Sequence, residues 1–368
     1  MIRKIFTVKL YFLFDMPKRF SLLIPALALC WLAGSPGLAQ TAELRPDTFL
    51  KDSDLMQFIT VEAYEVRIEL IARCQTLGKD LNFPLADPAV ISPREQQSLI
   101  EQAMPYFGRQ FTFFPQGVPV PPAGSNGDIL RLGAIDSVVK EKLVVERLSD
   151  AVLGIAYTYP LDASIRNFEF AWNRMPGSAE RIPVVISTPA GMQIFEFSDF
   201  VLSLDWSAES DSFQLPEIEP LPVRDKTWLG RPQLTRESAK SILTQLIIQI
   251  YQAFEYPTEA AIYDSLAQSV TGAELSAIYL EYRARIEAIR RGGPSVRILS
   301  VVFEDIGTIR RKDKNFVMEA SWRVLGKVRH FGHIHNRMNR YRAALTLTAE
   351  DDSWKLLKIE ILEESRVQ

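Results

Sequence analysis

Across residues 235–291 apolar side chains recur every three or four positions, and across residues 296–362 they recur every second position. This change of period constrains the fold strongly, because a helical spacing puts one stripe on a cylinder whereas a period of two puts one face on a sheet. Thr235 is positioned to cap a helix in which Ile242, Leu246 and Ile250 form one stripe and Leu243, Ile247, Tyr251 and Phe254 another. A helix apolar on so many sides is expected to be buried. Thr258 and Thr271 suit the caps of two further helices, over 259–268 and 273–291, with Gly292-Gly293 ending the last. Four alternating runs follow, 296–303, 316–328, 337–348 and 354–362, and predict four long antiparallel strands.

The closing run Asp351-Asp352-Ser353-Trp354-Lys355-Leu356-Leu357-Lys358-Ile359-Glu360 predicts a tight turn, a Trp and an alternating last strand. Three helices, a long sheet and this ending resemble the nuclear-transport-factor-like superfamily, which includes ketosteroid isomerase, scytalone dehydratase and the SnoaL-like polyketide cyclases. The resemblance covers about a third of the chain, residues 233–368. It implies a cone of three helices packed on a curved antiparallel sheet, with a pocket between them. It carries over no catalytic residue, because the carboxylate, Tyr or His positions used in that superfamily find no residue-by-residue match. Fold alone does not fix function.

Upstream, the chain reads differently. Residues 40–230 hold 16 Lys+Arg against 27 Asp+Glu, whereas residues 231–368 hold 21 against 17. This change of sign supports two domains, 40–206 and 233–368, with the Pro-rich acidic stretch 207–232 as linker. The first domain is expected to be a β-rich, sandwich-like unit, so the fold class is α+β. Its strands are predicted at 60–72, 111–114, 151–159, 166–172, 182–187, 193–197 and 200–206. Within 60–72, Tyr64, Val66, Ile68 and Leu70 should face inward and Glu65, Arg67 and Glu69 outward. Ser92, Pro93 and Glu95 form the signature of a capping box and predict a helix running to residue 106. Residues 115–127, rich in Pro and Gly, are expected to form a loop.

Residues 1–39 read as a secretory signal rather than as fold. Lys18 and Arg19 precede the apolar run 21–32, and Gly37-Leu38-Ala39 offers the small residues a signal peptidase requires. Met16 is a natural start for such a signal. The expected location is therefore the periplasm or the exterior, with lipidation at Cys30 as the alternative. Only Cys74 follows the cleavage point, so no internal disulfide is available to the mature fold. No later stretch is long and apolar enough to span a membrane.

All three histidines fall within six residues, His330-Phe331-Gly332-His333-Ile334-His335. In an extended strand His333 and His335 share a face, and His330 can return across the Gly332 bend, so three imidazoles are candidate ligands for zinc, copper or nickel. Arg329, Arg337 and Arg340 argue against a resident cation, and hydrogen bonding within the turn accounts for the same residues. His333, His335 and Tyr341 are the candidates for acid or base chemistry. His330, Arg323, Arg337 and Asn339 are candidates for ligand binding, drawn from a polar set that also includes Glu319, Ser321, Lys327 and Arg329. A solvated outer sheet face explains that set equally well.

The basic run 310–314 reads as a hairpin turn, and nucleic acid is not an expected partner. No Gly-rich phosphate loop, paired-Cys motif, HExxH or nucleophile elbow occurs, and no cofactor is expected. Three readings follow from the sequence. The first is a non-catalytic module that binds a small ligand or an envelope protein, with a homodimer compatible with it. The others are a cone-fold isomerase, cyclase or dehydratase, and a metal-handling envelope protein.

Overall fold

The computed structural model describes residues 53–131, 144–176, 179–208, 215–290, 293 and 295–367. The expected leader, residues 1–39 with Met16 and Cys30, lies outside the described residues. What is described is a mixed α+β chain with two hydrophobic cores, one drawn from residues 55–206 and the other from residues 223–359.

The first core is enclosed by strands β1 (Leu55–Glu62), β2 (Glu65–Arg73), β3 (Val90–Ile91), β4 (Phe111–Pro115), β5 (Gly124–Arg131), β6 (Glu146–Arg147), β7 (Ala151–Pro160), β8 (Asn167–Trp172), β9 (Arg181–Thr188), β10 (Gly191–Ser198) and β11 (Ser203–Ser207). Helices α1 (Cys74–Asp80) and α2 (Pro93–Gly108) are inserted among them. One sheet has the order β10-β9-β1-β2-β7-β5, with β1 and β9 parallel, and a second has the order β11-β8-β4. Aromatic rings of the smaller sheet stack in the shared core, Phe111 on Phe170 at 4.9 Å and Phe168 on Trp206 at 5.2 Å. The Ser92 capping box forms, with the Ser92 hydroxyl accepting from the Glu95 amide and the Glu95 carboxylate accepting from the Ser92 amide.

Two expectations fail here. The alternating stretch 60–72 is not one strand but a hairpin, in which Leu55 to Glu62 pair with Ala72 to Glu65 across a two-residue turn. Alternation continued through Ala63-Tyr64 and hid the turn. Residues 124–127, expected as loop, open strand β5, and Gly127 is there because α2 lies directly on it: a Cβ would meet the Ile100 side chain at 2.8 Å.

The second core is built by α3 (Arg236–Gln252), a 3-10 turn (Ala253–Glu255), α4 (Glu259–Ser269) and α5 (Ala273–Arg290), packed on a sheet. The sheet comprises β12 (Leu221–Pro222), β13 (Ser295–Ile306), β14 (Arg310–Lys312), β15 (Asn315–His330), β16 (His333–Glu350) and β17 (Ser353–Val367). Its order is β12-β17-β16-β15-β13, and β14 also pairs with β15. Thr235 and Thr258 cap α3 and α4 as their positions predict. Strands β15 and β16 run past the ends expected for them, to a two-residue turn at Phe331-Gly332.

The connecting stretch adheres to the second core. Leu221 and Pro222 pair with Trp354 and Ser353, Val223 is buried, and the Tyr256 hydroxyl donates to the Pro216 carbonyl at 2.7 Å. Lys226 pairs with Asp352 at 2.8 Å. Among the described residues, no helix is long and apolar enough to cross a membrane.

Cys74 is buried at the start of α1, and loss of solvation pushes its thiol up to about 12. The native protein should therefore leave Cys74 unmodified by a thiol reagent at neutral pH and react fully in denaturant, as mass spectrometry of the alkylated chain would read.

Candidate functional site

An antiparallel pair puts directly opposed residues on the same face of a sheet. The register Trp322↔Tyr341, Val324↔Asn339, Gly326↔Arg337 and Val328↔His335 therefore sets Tyr341, Asn339, Arg337 and His335 on the face that carries Trp322 and Val324. Trp322, Val324 and Tyr341 belong to the core packed by the helices. Arg323 opposes Arg340 on the other face, where both arginines pair with Glu304, at 2.7 and 2.6 Å. Glu319, Ser321, Lys327 and Arg329 occupy that same outer face. The candidate polar set is thus divided: Arg323 lies outside, while Arg337, Asn339 and Tyr341 lie inside. Alternation along each strand was correct, but the offset between the two strands is set by the turn, and nothing local reveals it.

On the inner face the strand runs from apolar to polar. Trp322 stacks between Phe303 at 5.3 Å and Tyr341 at 5.6 Å. The buried Asn339 donates from Nδ2 to the Tyr341 hydroxyl at 3.1 Å and to Glu364 Oε1 at 2.9 Å, and its Oδ1 accepts from Arg337 Nε at 3.1 Å. Strand β17 brings Glu364 opposite Tyr341 and Arg366 opposite Asn339. Burial raises the Tyr341 hydroxyl above its ordinary value, and Glu364 beside it adds to the rise. Burial also lowers the Arg337 guanidinium, with Arg366 contributing a like charge. The Trp322 indole N–H is buried and meets no acceptor among the described residues. Glu364 and Arg366 were missed because the last strand runs on to Val367, past the end expected at 362, through Glu363-Glu364-Ser365-Arg366, where no apolar alternation marks a strand.

The histidine segment forms the end of the β15–β16 hairpin. His330 pairs with His333 across Phe331 (φ 45°) and Gly332 (φ 72°), so both turn residues are left-handed, as a type I′ turn requires. His335 is half-buried on the inner face beside Arg337. The side chains of His330 and His333 lie outside the described residues, and with them the proposed three-imidazole set. Among the described residues no group of three or more His, Cys, Asp or Glu is arranged to hold a metal.

A bulky residue such as Phe is rarely left-handed, and the reason for it here is tertiary. The turn docks on the first sheet, where Glu69 accepts from the amides of both Phe331 and Gly332, at 2.9 and 3.0 Å. The Phe331 ring joins Met56, Phe58, Ile71, Leu130, Val152, Ala156 and Val185 in a third apolar cluster. Two glycines make the approach possible. A Cβ on Gly154 would meet Phe331 at 2.6 Å, and one on Gly332 would overlap the Phe58 ring. Arg329 pairs with Glu62 at 2.5 Å beside the turn, and Glu255 lies in the same seam, its carboxyl raised by burial, lowered by Arg297 and raised again by Glu62. Arg67 and Glu69, expected to face solvent, are consequently only 3% exposed and sit 3.8 Å apart.

No family model and no curated protein matches this chain. Among solved structures 27 chains match. One is the intermembrane space region of chloroplast protein ARC6, 13% identical with a TM-score of 0.26, covering 37% of this chain and 98% of that one. Another is a de novo β-sheet design, 11% identical with a TM-score of 0.20, covering 36% of this chain and 90% of the design.

Proposed function

We propose that the chain is an exported, non-catalytic binding protein of the periplasm or exterior, whose C-terminal part is a cone-type module that holds a small anionic ligand. The first domain, residues 40–206, serves as scaffold, and residues 207–232 link it to the module. The observation that carries this reading is the network Arg337–Asn339–Tyr341–Glu364 at one end of an otherwise apolar inner face. Small-molecule sites combine such a mainly apolar lining with a few oriented polar groups, and they favour junctions between domains. Asn339 fixes the plane of the Arg337 guanidinium, and Arg366 adds a second positive charge, which suits a carboxylate or phosphate.

Thermal melts of the protein against carboxylates and phosphates test the reading. A ligand at about a hundred times its Kd stabilises by about 2.7 kcal/mol, and Arg337→Gln should remove most of that shift. If no compound raises the melting temperature and native mass spectrometry of protein taken from cells finds nothing bound, the reading fails. A second reading rests on His335, which shares the inner face with Tyr341 and supplies an imidazole for acid or base work in a cone-fold isomerase, cyclase or dehydratase. Turnover of enones, esters or phosphates that is abolished by His335→Ala would replace the binding reading with this one.

A further inference from the structure

We propose that strand β10 is a dimerisation edge, pairing antiparallel with β10 of a second copy of this chain. β10 ends the six-stranded sheet, and no described strand lies on its outer side. Natural edge strands are usually guarded by Lys, Pro, a bulge or a covering element. β10 contains neither Lys nor Pro and pairs with β9 without interruption from Gly191↔Thr188 to Ser198↔Arg181. Only at its last residue, Ser198, does another described segment bridge it, through Val201, which leaves 191–197 open among the described residues. Its single charge, Glu196, is already paired with Arg181 at 3.3 Å.

The apolar side chains of this edge continue an interface already present. Ile194 opposes Val185, which opposes Phe58, so a row of the outer sheet face runs from the Phe331 docking site to the edge. Ile194 is 65% exposed at the end of that row, and Phe200, just beyond the strand, is 97% exposed. Exposed apolar groups contiguous with a buried seam mark an association surface.

A second copy fits this edge because the strand is self-complementary. Two-fold antiparallel pairing must match faces, and the register centred on Gln193 sets Met192 of each copy against Ile194 of the other. In that register each Glu196 falls opposite the turn at Ala190, so no like charges meet.

Sedimentation velocity on protein expressed from the full chain tests the proposal, together with two variants. The expected result is an apparent mass twice that of one chain, reduced to one chain by Ile194→Lys with an unchanged far-ultraviolet circular dichroism spectrum. Gln193→Cys should form a disulfide-linked dimer under mild oxidation, because the two-fold axis puts position 193 opposite itself and Cys74 is buried. A wild-type protein that stays monomeric at high concentration overturns the proposal. So does a dimer that survives Ile194→Lys and gives no Gln193→Cys cross-link, since such a dimer uses another surface.

Discussion

Glu69→Ala should destabilise the folded chain by about 3 to 5 kcal/mol, the range for breaking a buried ion pair from one side. The substitution removes the carboxylate that accepts from the Phe331 and Gly332 amides. It also leaves Arg67, itself 3% exposed, without the carboxylate 3.8 Å away. Two amides then need water in a seam lined by Phe58, Phe331 and Ile71. Glu69→Gln keeps one carbonyl acceptor and should cost less. Urea unfolding followed by circular dichroism would measure both. A loss below about 1 kcal/mol for Glu69→Ala would mean that water reaches the seam and that the docking contributes little to stability.

Phe331→Ala should cost a similar amount, about 3 to 5 kcal/mol, because a ring only 2% exposed is deleted from a packed cluster. Gly154→Ala should also destabilise, by about 1 to 3 kcal/mol, since the new methyl would lie 2.6 Å from the Phe331 ring. The informative measurement is the double variant. With the ring gone, the methyl at position 154 has room, so the two losses should fall short of their sum by about 0.5 to 3 kcal/mol. Strict additivity would show that Phe331 does not rest on Gly154. Because the contact joins residues 177 positions apart in the chain, the same cycle measures how strongly the turn is coupled to the first sheet.

Much of the local architecture is legible in the sequence. Thr235 and Thr258 cap helices, Ser92 and Glu95 close a capping box, and the strands around Phe113, Phe170 and Ile186 are found by alternation. Each of these signals acts over a few residues, through one side chain meeting a nearby amide or through the two-residue repeat of a pleat. Where a local signal is ambiguous, the reading fails locally, as when alternation continued through the Ala63-Tyr64 turn.

The candidate site was only partly legible, for a different reason. Tyr341, Asn339 and Arg337 stand out as polar groups in an apolar strand, but their face depends on pairing with Trp322, Val324 and Gly326. Glu364 and Arg366 join them only because β17 lies on the other side of β16. Phe331-Gly332 between histidines suggests a turn, yet nothing near it in sequence indicates that Glu69 will receive its amides.

The sequence by itself therefore determined helix starts, which residues of a strand share a face and the change from helical to sheet period, because these depend on neighbours in the chain. Tertiary structure alone decided strand register, the burial of Arg67 and Glu69, and the docking of Phe331 against Gly154. Those depend on chain segments brought together from far apart, where a buried charge or a missing Cβ has meaning only against the surface that covers it.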